Sequence, residues 1–338
     1  MNMLIDSNLV TPITDTKAAA AAIEQAGFDG MWLGETKHEP FLQMLQAAEA
    51  TERVQLGTGI AIAFARTPMT LANAGYDMAR YSKGRFILGL GSQVKPHITK
   101  RFSMPWSHPA ARMRELIVAT RAIWANWQDG TPLDFRGEFY THTLMTPFFA
   151  PPAHEFGPPP IYLAGVGALM TEVAGEVCDG FLYHPFTTDQ YLRQVTLPAL
   201  ARGRAKAGKE GFEGFDIGGP AFACTGRDDK ELAAAIAGTK SQIAFYASTP
   251  AYKPVLDMHG WGDLQPELSR MTREGKWADI GNLIDDEVLH AFAVVGEPAA
   301  VGKGLVERWG SIATRLTLYA PYPHDRAVWP EVMAAMRA

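Results

Sequence analysis

The chain has 338 residues, 47% of them hydrophobic and 20% charged, with a formal net charge of −5. That length and balance suit one large α/β domain or two small ones around an ordinary core. The negative charge removes the electrostatic case for nucleic acid or an anionic membrane as partner. No apolar run reaches membrane-spanning length, and MNMLIDSNLVTPITD lacks the basic start and long apolar stretch of a secretory leader. A cytoplasmic protein acting on small molecules is expected. The two cysteines, Cys178 and Cys224, sit in apolar patterns and read as core thiols.

Strand-like and helical runs alternate. MLIDSNLV (3–10) leads to a helical stretch from Lys17 to Ala26, stopped by Gly27. FDGMWLG (28–34) leads to Phe41–Ala50. VQLGTGIAI (54–62) leads to Met69–Tyr81, with Thr67 as N-cap, Pro68 at the first helical position and Gly84 near the stop. Then follow RFILGLGS (85–92), PIYLAGVG (160–167), GFLYHPF (180–186), FDIGGPAFAC (215–224) and TRLTLYAPY (314–322). These runs are continuously apolar rather than alternating, as in parallel strands covered on both faces. Met113, Leu116, Ile117, Thr120, Ile123, Trp124 and Trp127 share one helical face, and Leu169, Met170, Val173, Ala174, Val177 and Cys178 another.

Eight strands, each followed by helical sequence, predict a (β/α)8 TIM barrel in a single domain over 1–338. Two intervals are long, about 93–159 and 225–313. Both are too polar-mixed and broken to hold a core alone, so they read as insertions after strands four and seven. The competing doubly wound nucleotide-binding sheet requires G-x-G-x-x-G after a strand. Gly89 and Gly91 are followed by Val94 at the sixth place, and Gly165 and Gly167 by Met170, so neither site fits.

Metal chemistry finds no support: the histidines are scattered, no H-E-x-x-H or Cys/His cluster occurs, and strand one ends in Asp6-Ser7-Asn8 without an H-x-H. No G-x-S-x-G elbow is present. Strand six ends in Tyr183-His184-Pro185-Phe186, with no lysine for a Schiff base. What remains are glycine-bearing strand ends. LAGVGALM (163–170) places small residues where a strand turns into a helix, and backbone N–H groups there can cradle a phosphate. GLGSQ (89–93) can bring backbone and the Ser92 hydroxyl close to a flat ligand. Gly57 and Gly59 inside a strand fit a bulge, a ligand's close approach, or core packing alone. In LGETKHEPF (33–41), His38 follows strand two at the face where a barrel's loops build its site, and can exchange a proton near neutral pH. Glu35 and Glu39 can orient it, or serve as favourable charges at the start of the next helix.

In AAAIEQAGFDGMWLGETKHEPF, VQLGTGIAIAFARTPMTLA, GRFILGLGSQ, PIYLAGVG followed by AGEVCDGF, and the late VVGEP, the chain resembles the bacterial luciferase-like family. Within it, the likeness is to the branch that uses the deazaflavin coenzyme F-420. The resemblance covers almost the whole chain, and the order and spacing of these segments carry it. It implies a TIM barrel with the cofactor at the C-terminal strand ends. It implies a non-prolyl cis peptide at Gly59–Ile60 behind the central ring, a phosphate loop at Ala164, Gly165, Val166 and Gly167, and Ser92 near the ring or ribityl chain. His38 matches a histidine that acts as general acid/base in dehydrogenases of the family. Relatives often read Asp-His there, whereas this chain reads Lys37-His38.

The activity implied is hydride transfer between F-420 and a small organic substrate, with His38 moving the coupled proton. The substrate pocket would draw on Glu35, Lys37 and Trp106. The aromatics of 93–157 (Trp106, Phe135, Phe139, Tyr140, Phe148 and Phe149) would either roof that pocket or form a subunit interface, since family members usually dimerise. Lys37, Arg66, Lys95, Lys100 and Arg101 would suit the anionic F-420 tail. The alternatives are an FMN-dependent monooxygenase and a non-catalytic flavin-binding protein.

Overall fold

The computed structural model describes residues 3–338. Eight parallel strands fall where the apolar runs place them: β1 Leu4–Asn8, β2 Gly30–Leu33, β3 Gln55–Thr58, β4 Phe86–Gly91, β5 Ile161–Ala164, β6 Gly180–Leu182, β7 Asp216–Thr225 and β8 Arg315–Tyr319. They run in the order β7-β8-β1-β2-β3-β4-β5-β6, and β6 pairs back with β7. This is the closed ring of a (β/α)8 barrel. β2 to β5 are buried almost throughout, which is why their sequence does not alternate.

By its internal contacts the chain divides into two compact units. One comprises Asn8–Leu182 and Ala199–Asp216, and carries β2 to β6. Its helices have sequence-legible ends. Thr67 and Thr70 form a reciprocal cap on the helix Pro68–Tyr81, each hydroxyl accepting the other's backbone N–H at 3.2 and 3.0 Å. Gly84 beyond its end takes φ +79°, a conformation that glycine adopts without strain. The long helix Pro109–Asp129 buries the whole predicted stripe, Met113 to Trp127. Trp124 donates from Nε1 to the Ala72 carbonyl at 3.0 Å, locking that helix to Pro68–Tyr81. Gly75 makes room for the indole, since a Cβ there would lie 3.0 Å from it.

Within the first insertion, Phe135–Arg136 and Thr141–His142 make a small antiparallel hairpin. The Glu115 carboxylate gathers its tip, accepting from the backbone N–H groups of Glu138, Phe139 and Tyr140 at 2.9, 2.7 and 2.6 Å. The Arg112 guanidinium lies over the Phe139 ring at 4.7 Å. Phe148 and Phe149 are 89% and 71% exposed. Leu169, expected on a packed helical face, is also exposed.

The other unit comprises Met1–Ser7, Tyr183–Pro198 and Ile217–Ala338. The stretch 225–313 is largely helical, and its core is shared: Ile243, Leu268, Leu289 and Phe292 pack with Phe186, Phe222 and Tyr322 from outside it. β7 has ten residues, so its first half pairs with β8 while Phe222–Thr225 pairs with an additional strand, Ala293–Gly296. Asp6 and Arg315 form an ion pair at 2.7 Å between side chains that are 0% and 1% exposed. Cys178 and Cys224 are free and buried, as core thiols are.

Candidate active site

The C-terminal ends of β2, β3, β4 and β5 all lie in the first unit. Below them sits an apolar plug of Trp32, Ile87, Tyr162 and Leu182, on which Ile60 and Ala164 pack. Trp32 and Tyr162 meet as tilted rings, centroids 5.9 Å apart. The glycines of this region have separate reasons. A Cβ on Gly57 would strike the Trp32 ring, one on Gly89 the Thr58 carbonyl, and one on Gly91 would come within 2.7 Å of Ile60. Thr58 ties the layer together: its hydroxyl donates to the Gly89 carbonyl at 2.7 Å and accepts the Gly89 N–H at 2.9 Å. Core packing therefore explains Gly57 and Gly89, while Gly59 stays exposed. The Gly59–Ile60 peptide is cis, as the resemblance implied.

The loops after β2 and β3 are clamped to each other. The Gly59 N–H donates to the Leu33 carbonyl at 2.8 Å, and the Glu35 N–H to the Ile60 carbonyl at 3.0 Å. The Glu35 carboxylate accepts from the Ile62 N–H at 2.7 Å and from Arg66 at 2.6 Å. Arg66 also donates to the Ile62 carbonyl at 3.0 Å and to Glu39 at 2.5 Å. Burial works against the Arg66 charge, and the hydrogen bonds and charges of Glu35 and Glu39 more than offset it, raising its pKa. Glu39 caps the helix Pro40–Glu49 as well, accepting the Phe41 N–H at 3.3 Å.

Both glutamates serve Arg66 and the chain around it, and neither turns to His38. Glu35 thus fastens the segment 62–66, and Arg66 is no free cation. His38 and Lys37 are exposed on the clamped loop. Arg101, at the end of the π-helix His97–Arg101, holds the same loop from its other side by donating to the Thr36 carbonyl at 2.7 Å. Lys95 and Lys100 remain exposed. Trp106 is half-buried, packed edge-on to the buried Phe64 with centroids 5.6 Å apart. Ser92 donates to the Gln93 carbonyl at 3.0 Å, and Gln93 has φ +58°.

After β5, Ala164 and Gly165 are half-buried, and Val166 and Gly167 exposed. Gly165 lies against the start of the helix Ala168–Val177, where a Cβ would come within 3.2 Å of Met170. Gly167 is that helix's N-cap, with no side chain to satisfy the first-turn N–H groups and open space around it. Backbone donors at a helix N-terminus, left uncapped beside glycines, fit a phosphate. Ile60 thus packs on the apolar plug beside Ala164 and lies against Gly91, and His38 stands on the adjoining loop. Sequence reading missed Arg66 as the hub of that loop, because its partners lie 27 and 31 residues away. Among the described residues, no His, Cys, Asp and Glu side chains gather into a metal-binding group.

The model of the family described as luciferase-like monooxygenase matches residues 4–315. The chain belongs to that family. It is 52% identical over 312 residues, 92% of each chain, to an uncharacterized protein of Mycobacterium tuberculosis. It is 28% identical over 299 residues, 82% of each chain, to a protein of the same organism named putative coenzyme F420-dependent oxidoreductase. Among solved structures, the coenzyme F420 dependent tetrahydromethanopterin reductase of Methanopyrus kandleri superposes with a TM-score of 0.81, at 20% identity, over 98% of this luciferase-like chain and 97% of the other. No helix among its described residues is long and apolar enough to cross a membrane.

Proposed function

We propose that this luciferase-like protein is an F-420-dependent oxidoreductase acting on a small organic substrate. The observation that carries the reading is the uncapped helix N-terminus at Gly167, opening beside Gly165 at the end of β5. There the first-turn N–H groups would hold the cofactor phosphate, and Gly165 keeps the approach free of a side chain. Gly59 and Ile60 would back the ring, with Ser92 beside it. When bound, the deazaflavin supplies a hydride at its central ring. His38 gives or takes the coupled proton at its imidazole, which the loop presents without a carboxylate partner. Glu35 and Arg66 hold that loop and the Ile60–Ile62 segment in fixed register, so donor and acceptor meet in one geometry. Lys37, Lys95 and Lys100 provide exposed positive charge for an anionic tail. That feature, and the named F-420-dependent relative, favour F-420 over FMN.

Titration of the purified protein with F-420 and with FMN, followed by tryptophan fluorescence, tests the reading. Micromolar affinity for F-420 is expected. Micromolar binding of FMN without binding of F-420 would replace it with a flavin monooxygenase.

A further inference from the structure

A second constellation stands in the other unit, where no cofactor residue was expected. His184 follows β6, Tyr319 ends β8, and Tyr246 and Tyr252 come from the helical stretch after β7. The His184 ring stacks on Tyr252 at 4.5 Å and meets Tyr246 edge-on at 4.7 Å. The Tyr246 and Tyr319 hydroxyls are 3.0 Å apart. All four residues are half-buried, so each packs on its neighbours while part of its surface stays accessible.

The hydrogen bonds fix what this group offers. His184 Nδ1 accepts the Phe186 N–H at 3.1 Å, which places the proton of the neutral ring on Nε2. Of the two protons on Tyr246 and Tyr319, one is spent between them and one is left to donate. Tyr252 adds a third donor. Burial lowers the His184 pKa to about 4, raises Tyr252 to about 12 and raises Tyr246 and Tyr319, so all four are neutral near pH 7. Among the described residues, cation–π contacts fall on Phe41, Phe102, Phe139, Tyr140 and Phe215, and on none of these four rings. The group is therefore donor-rich, aromatic and uncharged.

We infer that His184, Tyr246, Tyr252 and Tyr319 bind the carbonyl or hydroxyl oxygen of an uncharged, ring-bearing organic molecule. His184 Nε2–H and the Tyr252 hydroxyl donate to that oxygen, and the ring faces stack on the apolar part. A carboxylate would lose its hydration without gaining a cation, and a hydrocarbon would leave the donors unpaired. That this molecule is the substrate rests on the hydride-transfer reading; the binding itself does not.

Calorimetric titration of the full chain with acetophenone, benzoate and ethylbenzene tests the site. Acetophenone should bind, with benzoate and ethylbenzene at least about tenfold weaker. Tyr252→Phe and His184→Phe keep the planar rings and remove the donors, and each should weaken acetophenone at least about threefold, the loss of one hydrogen bond. Failure of acetophenone to bind, benzoate binding as tightly, or both variants binding acetophenone like the wild type would overturn the inference. F-420 affinity, read by tryptophan fluorescence, should be unchanged in both variants. If F-420 does not bind the wild type while acetophenone behaves as expected, the hydride-transfer reading falls and this site stands.

Discussion

Arg66 is the residue around which the loop after β2 is built. Its guanidinium binds Glu35, Glu39 and the Ile62 carbonyl, and lies 5.5 Å from the Phe41 ring. The glutamates are thereby spoken for, and His38 is free to meet a ligand. His38→Ala should leave F-420 affinity nearly intact and lower turnover by about 10² or more, as loss of a general acid or base does; loss of affinity at unchanged turnover per bound cofactor would make it a positioning residue. The position of His38 on the loop after β2 was legible in LGETKHEPF, because the buried apolar run stops at Leu33 and ionisable residues follow it. The duties of its neighbours were not, because they depend on an arginine far along the chain. His184 shows a similar limit: its sequence context, YHPF, discloses neither stacking nor burial. With a pKa of about 4 when folded against an ordinary value near 6.5, its ring takes up a proton more readily in the unfolded chain. Its contribution to stability is unaffected above about pH 6.5, falls as pH drops through that value, and levels off near 4, a loss of up to about 3 kcal/mol. Urea unfolding of wild type and His184→Phe at pH 7.5 and 4.5 should show the smaller acid loss in the variant.

At the scale of elements, the apolar runs located all eight barrel strands, because burial on both faces leaves a continuous signal. The strand Ala293–Gly296 escaped because AFAVVG continues the apolar end of the helix Asp286–Phe292 with no glycine or proline between. Leu169 misled because a helix that starts at an open loop exposes its first turn whatever its period. The glycines of LAGVG were legible as a turn, yet only the structure separates Gly165, pressed on Met170, from Gly167, which faces open space. Gly165→Asp puts a carboxylate where the phosphate would sit, and should weaken F-420 at least about tenfold; far-UV circular dichroism would confirm the fold, and unchanged affinity would place the phosphate elsewhere. Glu115 is the fastening of the insertion hairpin. Glu115→Ala leaves three backbone N–H groups without their acceptor, so limited proteolysis should cut between 134 and 143 faster than in the wild type. Global unfolding should shift by about 1–3 kcal/mol. Equal cleavage rates would mean that the hairpin is held without Glu115.

For the whole molecule, the feature with most leverage is the pairing of the first strand with the last. β1 and β8 run in register, Leu4 beside Arg315 and Asp6 beside Thr317. The Asp6–Arg315 ion pair crosses this seam at 2.7 and 3.1 Å, with both side chains out of water. Gly218 on β7 makes room for it, since a Cβ there would collide with the Arg315 side chain. A charged pair inside a parallel barrel is not what apolar strand patterning suggests, and composition gives no hint of it. Physically, the pair is asymmetric in its consequences. Breaking a buried ion pair by removing one partner costs about 3–5 kcal/mol, whereas replacing both with apolar residues of similar volume is often neutral or stabilising. Asp6→Leu and Arg315→Met should each lower the urea midpoint strongly, and the double variant should recover most of the loss. Additive losses in the double variant would show that each side chain acts through separate partners, and that the seam does not depend on their pairing.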